Sequence, residues 1–487
     1  MPKLLFLLLL PLLASAQTTQ RKGNLVLIDS PAGQAELQWI SSSTFRYQRC
    51  PTGKVCPSRA DKEVNVGYKV TESRDTISIE SEYIVATVDR KTLLVSTQSL
   101  RGKALLNETV APPGTLFSRS LTASEELWGL GPRTTPTLDL RGSIEKTTRP
   151  LLLSSEGFGL YFPIPGEYQF DLGRSNPARI TVRSPFIDRL EFYFYYGPDP
   201  KEILPEHRAV AGNISGASPV HVSLLPSASI PKFAHPAPAL PLPELIAYLN
   251  HSAMSAVAAP AIDSANVPSA IAAVLPIVHG THPVPDRKRW EPYLYTYLLE
   301  ARDRGIPMLH PLAMQYPKDP VARRENRCFM VGDEMIAVPL GRCYLPMGIW
   351  TDLRTEQVYK GRQNLEIDAT GGLPLLAHNG TIVPIASDSR LELHYFPRLG
   401  AEFFIAEADD DLPTQVHAAP ALDILRLEIE SKVAREYEWV VHGVSKPVSI
   451  EPQQPVEYDE TKRVLRTGVK AAPGSDIILN ITLHEPL

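Results

Sequence analysis

Acidic side chains are unevenly spread along this chain. No Asp or Glu occurs between Gly212 and Glu244. From there to Asp319 the carboxylates are Glu244, Asp263, Asp286, Glu291, Glu300, Asp303 and Asp319. A carboxyl couple working as nucleophile and general acid needs two groups roughly 5 Å apart, on opposite faces of the bond to be broken. Glu291, Glu300 and Asp303 fall on a helical pattern whose solvent face should carry charge. His279 and His282 stand three apart, a spacing that would hold a metal on a helix, but Gly280 and Pro283 argue for a loop. Asp409, Asp410 and Asp411 read as an acidic turn between strands, because the regular ligand spacing of a calcium loop is missing. The chain has no G-x-S-x-G, P-loop or H-E-x-x-H pattern. No cofactor and no metal site are expected.

The elements around these residues come from a globular composition. The hydrophobic fraction is 43%, the charged fraction 21% and the net charge -5, which leaves no basic footprint for nucleic acid. A length of 487 residues predicts more than one domain, and 46 prolines predict many turns and few long helices. Lys3, the apolar run Leu4 to Leu13 and Ala14-Ser15-Ala16 follow the order of an export signal, with a mature start at Gln17. That run is too short to span a bilayer, no later run has spanning length, and a secreted or periplasmic location is expected. Four cysteines fit such a compartment. Cys50 and Cys56 flank a short turn and could close a small loop; Cys328 and Cys343 fit buried thiols or a second bridge equally well.

Thr76 to Val88 alternates as a strand, with Ile77, Ile79, Tyr83, Val85 and Thr87 among polar neighbours. Leu151 to Phe162 gives two apolar runs around a turn at Ser154 to Gly157. Leu190 to Tyr196 is a short aromatic strand ended by Gly197 and Pro198, and Pro200 to Val210 then reads as a brief helix. Tyr293, Tyr297, Leu298 and Ala301 form an apolar helical stripe that Gly305 stops, with the aromatic rings assigned to a core. Leu391 to Leu487 alternates again.

Several segments, in order, resemble glycoside hydrolase family 31, the α-glucosidase and α-xylosidase family. Leu127 to Gly131 and Leu138 to Gly142 are similar to its "YGLGE…LRG" region. Pro150 to Phe162 resembles the strand pair that follows, and Phe192 to Leu204 the segment leading into its catalytic barrel. Arg289 to Met308 resembles the helix and strand that close the barrel. Tyr316 to Asp319, Phe329 to Pro339, Cys343 to Trp350 and Leu376 to Pro384 are similar to its "fPxD", "qfmlGdxllvaPv", "vYLPxGxW" and "vrxGsiiP" motifs. The resemblance implies a mainly β chain with some α/β. Its parts would be an N-terminal β-sandwich like galactose mutarotase, an incomplete remnant of a (β/α)8 barrel and two C-terminal β-sandwich domains. The expected boundaries are 1–16 signal, 17–212 N-terminal sandwich, 213–243 a Pro/Ala-rich irregular segment, 244–320 barrel remnant, 321–390 and 391–487 β-domains. With no histidine before His207, the sandwich is not expected to be a mutarotase itself.

The centre departs from the family. A (β/α)8 barrel takes roughly 250 residues, and only about a hundred separate Asn213 from Leu309. Ile262 and Asp263 fall where the family has "DiGGF", although Ser264, Ala265 and Asn266 follow here; Leu275 to Gly280 falls where it has "fxPixRxHg". By that resemblance Asp263 and His279 are the substrate-binding candidates. The family's "DxNE" nucleophile and "GD" acid motifs are absent from the middle segment, so no catalytic residue is assigned. The expected function is a family 31-like protein of carbohydrate metabolism with impaired hydrolysis of α-glucosides or α-xylosides. The alternatives are a non-catalytic protein that binds carbohydrate or a partner, and a shortened gene product without an independent role.

Overall fold

A computed structural model describes residues 18–54, 56, 64–185, 189–212, 240–256, 262–263, 271, 273–274, 278–279, 286–407 and 412–487. The export signal, nearly all of the Pro/Ala-rich segment, His282 and Asp409 to Asp411 lie outside them. The chain divides into two compact units, residues 1–127 with 141–198, and residues 128–140 with 199–487.

The first unit is all β. Antiparallel strands Thr18–Lys22, Leu25–Ser30, Gly33–Trp39 and Thr44–Pro51 continue through Leu190–Tyr196 to Phe158–Tyr161 and Leu151–Ser154. A second sheet runs Lys69–Glu72, Thr76–Glu80, Ile84–Asp89, Val95–Ser99, Ala104–Asn107; a third runs Phe117–Ser120, Arg179–Arg183, Tyr168–Leu172, Ile144–Thr147. Aromatic rings fill the core between the first and third sheets: Phe117 meets Phe192 edge-on at 5.5 Å. The hairpin at Ser154 to Gly157 forms as its turn residues require. Gly157 has φ +91, and a β-carbon there would sit 3.0 Å from the Pro198 α-carbon.

Thr76 to Val88 is not one strand. Ser81 Oγ accepts from the Tyr83 and Ile84 amides, folding the run into two antiparallel strands. The turn shifts the phase of the alternation. Ile77 and Ile79 stay inside, but Ile84, Ala86 and Val88 take over beyond the turn, and Tyr83 is 47% exposed.

The second unit carries the helices α1 (Pro200–Ala211), α2 (Leu242–Met254), α3 (Arg287–Arg304) and α4 (Leu312–Gln315). Local sequence sets their ends. Asp199 accepts from the Lys201 amide at the start of α1, Gly212 closes it, and Gly305 ends α3 in the left-handed region. The Pro198–Asp199 division therefore puts α1 in this unit rather than at the end of the N-terminal region. A sheet of Leu309–His310, Phe329–Val331, Met335–Ala337, Leu375–His378, Ile349–Asp352 and Val358–Lys360 follows. Beyond it lie two five-stranded sheets. One holds Thr381–Ala386, Leu391–Phe396, Arg435–Val441, Val464–Ala471 and Val456–Asp459; the other holds Ala401–Ile405, Thr414–Ala421, Ile424–Ser431, Ser475–Leu483 and Pro447–Glu451. Leu425, Leu427, Ile429, Leu479 and Ile481 point inward at alternate positions, as the sequence pattern requires. All four cysteines are bridged, Cys50 to Cys56 and Cys328 to Cys343, with α-carbons 5.5 and 5.8 Å apart.

Candidate functional site

Asp263 and His279 meet as backbone neighbours. The strands Ile262–Asp263 and Val278–His279 pair in parallel, with Ile262 opposite Val278 and Asp263 opposite His279. Parallel strands need a dozen or more residues between them, and fourteen separate Asp263 from Val278 in the sequence. Adjacent strands lie about 4.8 Å apart, so two residues nominated separately from sequence share one register position. This is the two-stranded parallel piece that the central segment contributes among the described residues.

The other two carboxylates of the interval Asn213 to Trp290 do something else. Glu244 is exposed in the first turn of α2, and Asp286 is exposed just before α3. Acidic groups there complement the positive end of a helix. Asp263 is the remaining carboxylate of that interval.

The buried polar face of α2 binds the segment 128–140 into the second unit. Ser255 Oγ accepts from the Gly131 amide at 3.0 Å, and His251 Nε2 lies 3.1 Å from the Thr135 carbonyl oxygen. Asn250 donates to Asn326 Oδ1 at 2.6 Å, while Asn326 donates to the Pro136 carbonyl at 2.8 Å. Each of these side chains is spent on positioning backbone.

Downstream, the turn after Phe329–Val331 gathers a second ionisable cluster. The Lys201 ammonium donates to Gln315 Oε1 and to Asp333 Oδ1. His310 is buried, with Nε2 4.0 Å from that carboxylate. Burial first, and the Lys201 charge second, push the His310 pKa down to about 4. Glu334 Oε2 lies 2.6 Å from the Tyr293 hydroxyl and 2.6 Å from the Tyr297 hydroxyl, and Tyr293 Oη is also 2.6 Å from the Val331 carbonyl oxygen. Both phenols donate to Glu334, and the Tyr293 hydroxyl, with one hydrogen, is shared between the Glu334 carboxyl and the Val331 carbonyl. Burial raises the Glu334 pKa to about 7, although the tyrosine hydrogen bonds pull it down. Gly332 makes room for this arrangement. It has φ +61, and a β-carbon there would overlap the Tyr293 hydroxyl and the Tyr297 ring. The aromatic stripe of α3 is therefore core, with its hydroxyls committed to a carboxyl.

Sequence reasoning missed this cluster because Lys201, Tyr293, Tyr297, His310 and Glu334 are scattered in order. The glycine before two adjacent acids was the available signal, since a left-handed turn aims the following side chains. Chemically, the cluster neutralises charge. Asp333 is paired with a lysine and Glu334 with two phenols, so neither is a free nucleophile. Among the described residues one group of three metal-ligating side chains comes together, Glu325, Cys328 and Cys343, and its two sulfurs are consumed by their own bridge.

Comparison with known proteins finds a family match in the C-terminal half. Residues 305–383 match the model of the glycosyl hydrolase family 31 C-terminal domain. Alpha-glucosidase 2 of Bacillus thermoamyloliquefaciens is 28% identical over 176 residues, which are 33% of this chain and 22% of that protein. Human neutral alpha-glucosidase AB is 33% identical over 103 residues, 19% of this chain and 11% of that protein. Residues 305–383 thus match the glycoside hydrolase family 31 C-terminal domain, and the chain is similar to that family.

The chain matches only a minor part of the length of these curated relatives. Solved structures share its fold at low identity. The family 31 dextranase of Flavobacterium johnsoniae complexed with glucose superimposes with a TM-score of 0.77 at 14% identity, covering 96% of this chain and 99% of that one. The cycloalternan-forming enzyme of Listeria monocytogenes in complex with a pentasaccharide substrate gives 0.78 at 13% identity, covering 96% and 76%. The mainly β architecture is thus that of family 31. No helix among the described residues is long and apolar enough to cross a membrane.

Proposed function

We propose that this family 31-like chain holds a sugar of the α-glucoside or α-xyloside type without cleaving it. The observation that carries the reading is the fate of the carboxylates in the central interval. Retaining cleavage of an acetal needs two carboxyl groups facing across the scissile bond. Of three carboxylates there, Glu244 and Asp286 sit exposed at helix starts, which leaves Asp263 alone. One carboxylate cannot be nucleophile and proton donor in the same step. Asp263 and His279 are the proposed sugar contacts, supported by their shared register position and by the names of the relatives, which act on glucosides or were solved with glucose. Export to an oxidising compartment is part of the same reading, supported by the two disulfides and the leader pattern.

The test is a pair of measurements on the full chain. Aryl α-glucosides and α-xylosides should show no turnover above buffer. Titration with glucose, xylose or maltose should give saturable heat that Asp263→Asn or His279→Ala removes. Turnover that disappears on Asp263→Asn would overturn the non-hydrolytic reading, and the absence of any saccharide binding would overturn the sugar-holding one.

A further inference from the structure

Away from the central segment, four side chains line up through the C-terminal sheets. Glu392 and His394 stand two apart on the strand Leu391–Phe396 and so share a face. His394 Nε2 is 2.9 Å from Glu392 Oε2. Its other nitrogen, Nδ1, is 3.0 Å from His442 Nε2. His442 Nδ1 is 2.7 Å from Glu356 Oε2. Both imidazoles are buried, and the Phe396 ring stacks on His442 at 4.4 Å. Glu356 comes from the turn between Ile349–Asp352 and Val358–Lys360, whereas His442 follows the strand Arg435–Val441. The row therefore ties the hairpin of the family-matched region to the distal sandwich.

Hydrogen counting fixes its proton content. The row has three gaps between heavy atoms, and each gap holds one hydrogen when bonded. Two neutral imidazoles bring two. The third hydrogen is an excess proton, shared in the gap between His442 Nδ1 and Glu356. With none in that gap, a nitrogen lone pair faces a carboxylate oxygen at hydrogen-bond distance. Glu356 is a non-glycine residue at φ +61, a backbone state that costs energy and persists only where surrounding structure holds it. The contact to His442 is such a hold, helped by the Glu356 amide bond to the Asp352 carbonyl.

We propose that Glu356, His442, His394 and Glu392 form a one-proton latch, closed while the row carries its excess proton and opened when alkaline pH removes it. The charges around it suit a single positive proton. Arg466 approaches Glu392 at 3.8 Å and pairs with Glu438 at 2.8 Å. Arg390 also pairs with Glu438, and Arg289 of α3 lies near enough to act on Glu392. On the hairpin, Arg354 is spent on Asp352. These groups form pairs of their own and leave Glu356 as the partner of the excess proton.

Hydrogen exchange on the full chain tests the latch. After correction for intrinsic exchange, the hairpin amides of residues 349–360 should lose about tenfold protection between pH 6 and pH 9, the scale of a local opening. Glu356→Gln offers an amide hydrogen to His442 Nδ1 without any titration, so its hairpin should stay protected across the range. If Glu356→Gln fails to fold, nitrogen-15 spectra of histidine-labelled wild type decide instead. They should show His442 protonated on both nitrogens at pH 6 while His394 carries hydrogen only on Nε2. Unchanging wild-type protection, a Glu356→Gln profile that follows wild type, or a singly protonated His442 would each overturn the latch.

Discussion

Glu334 offers the sharpest quantitative test of how the core of the second unit is built. Its carboxyl proton is bound more tightly in the folded chain, where the pKa is about 7, than in the unfolded chain, where it is 4.5. The sign follows. This site favours folding most below pH 4.5, the advantage falls as pH rises through 7, and it is flat above that. Each pKa unit is worth about 1.4 kcal/mol. Glu334 is part-buried, with its ionisation resisted by burial and by the nearby Asp333 charge, so the swing is at most about 3 kcal/mol. Glu334→Gln removes the titration and keeps the Tyr293 and Tyr297 hydroxyls occupied. Urea unfolding at pH 5 and pH 8, followed by intrinsic fluorescence, gives the stability of each protein at each pH. Wild type should lose up to about 3 kcal/mol relative to the variant between those values. Parallel pH profiles for the two proteins would refute the raised Glu334 pKa.

Three further outcomes follow from other sites. Gly332→Ala should destabilise the second unit by about 2–4 kcal/mol, read as a lower thermal midpoint, because the new β-carbon needs positive φ and overlaps two tyrosines. Replacing Cys328 and Cys343 together by serine opens a loop of sequence separation 15 and should cost about 3 kcal/mol in urea. His207, His310 and His394 are buried with pKa values pushed to about 4. Their contribution to stability is complete above pH 6.5 and is lost as pH falls toward 4, so circular dichroism melts should shift downward over that window, with the buried imidazoles charging as the chain opens.

Much of the architecture was legible because it is local. Asp199 before Pro200, Gly212 and Gly305 mark helix ends by rules that act within one turn. The hairpin at Ser154 to Gly157 and the alternation in Ile424 to Ser431 follow from turn chemistry and a period of two. Thr76 to Val88 shows where such reading stops. A tight turn at Ser81 can be inserted into an alternating run without interrupting it, and only the partner strand reveals that the buried set has changed phase. The site divides in the same way. Asp263 and His279 were nominated because they fall where family motifs lie, whereas their shared register position is fixed by no local rule. The Glu334 triad joins two separate segments and the row from Glu356 to Glu392 joins three, so neither was assembled from the order of residues. The cysteines were undecided for a similar reason, as pairing requires a distance between strands and not a spacing between letters.

The central claim concerns chemistry that one carboxylate cannot perform. Its most direct test is a long incubation of the purified full chain with aryl α-glucosides, with released phenol followed to high sensitivity. The account predicts release indistinguishable from buffer, in a protein that still binds the unmodified sugar. Release above buffer that vanishes in Asp263→Asn would contradict it, because a second carboxyl group would then have to stand opposite Asp263.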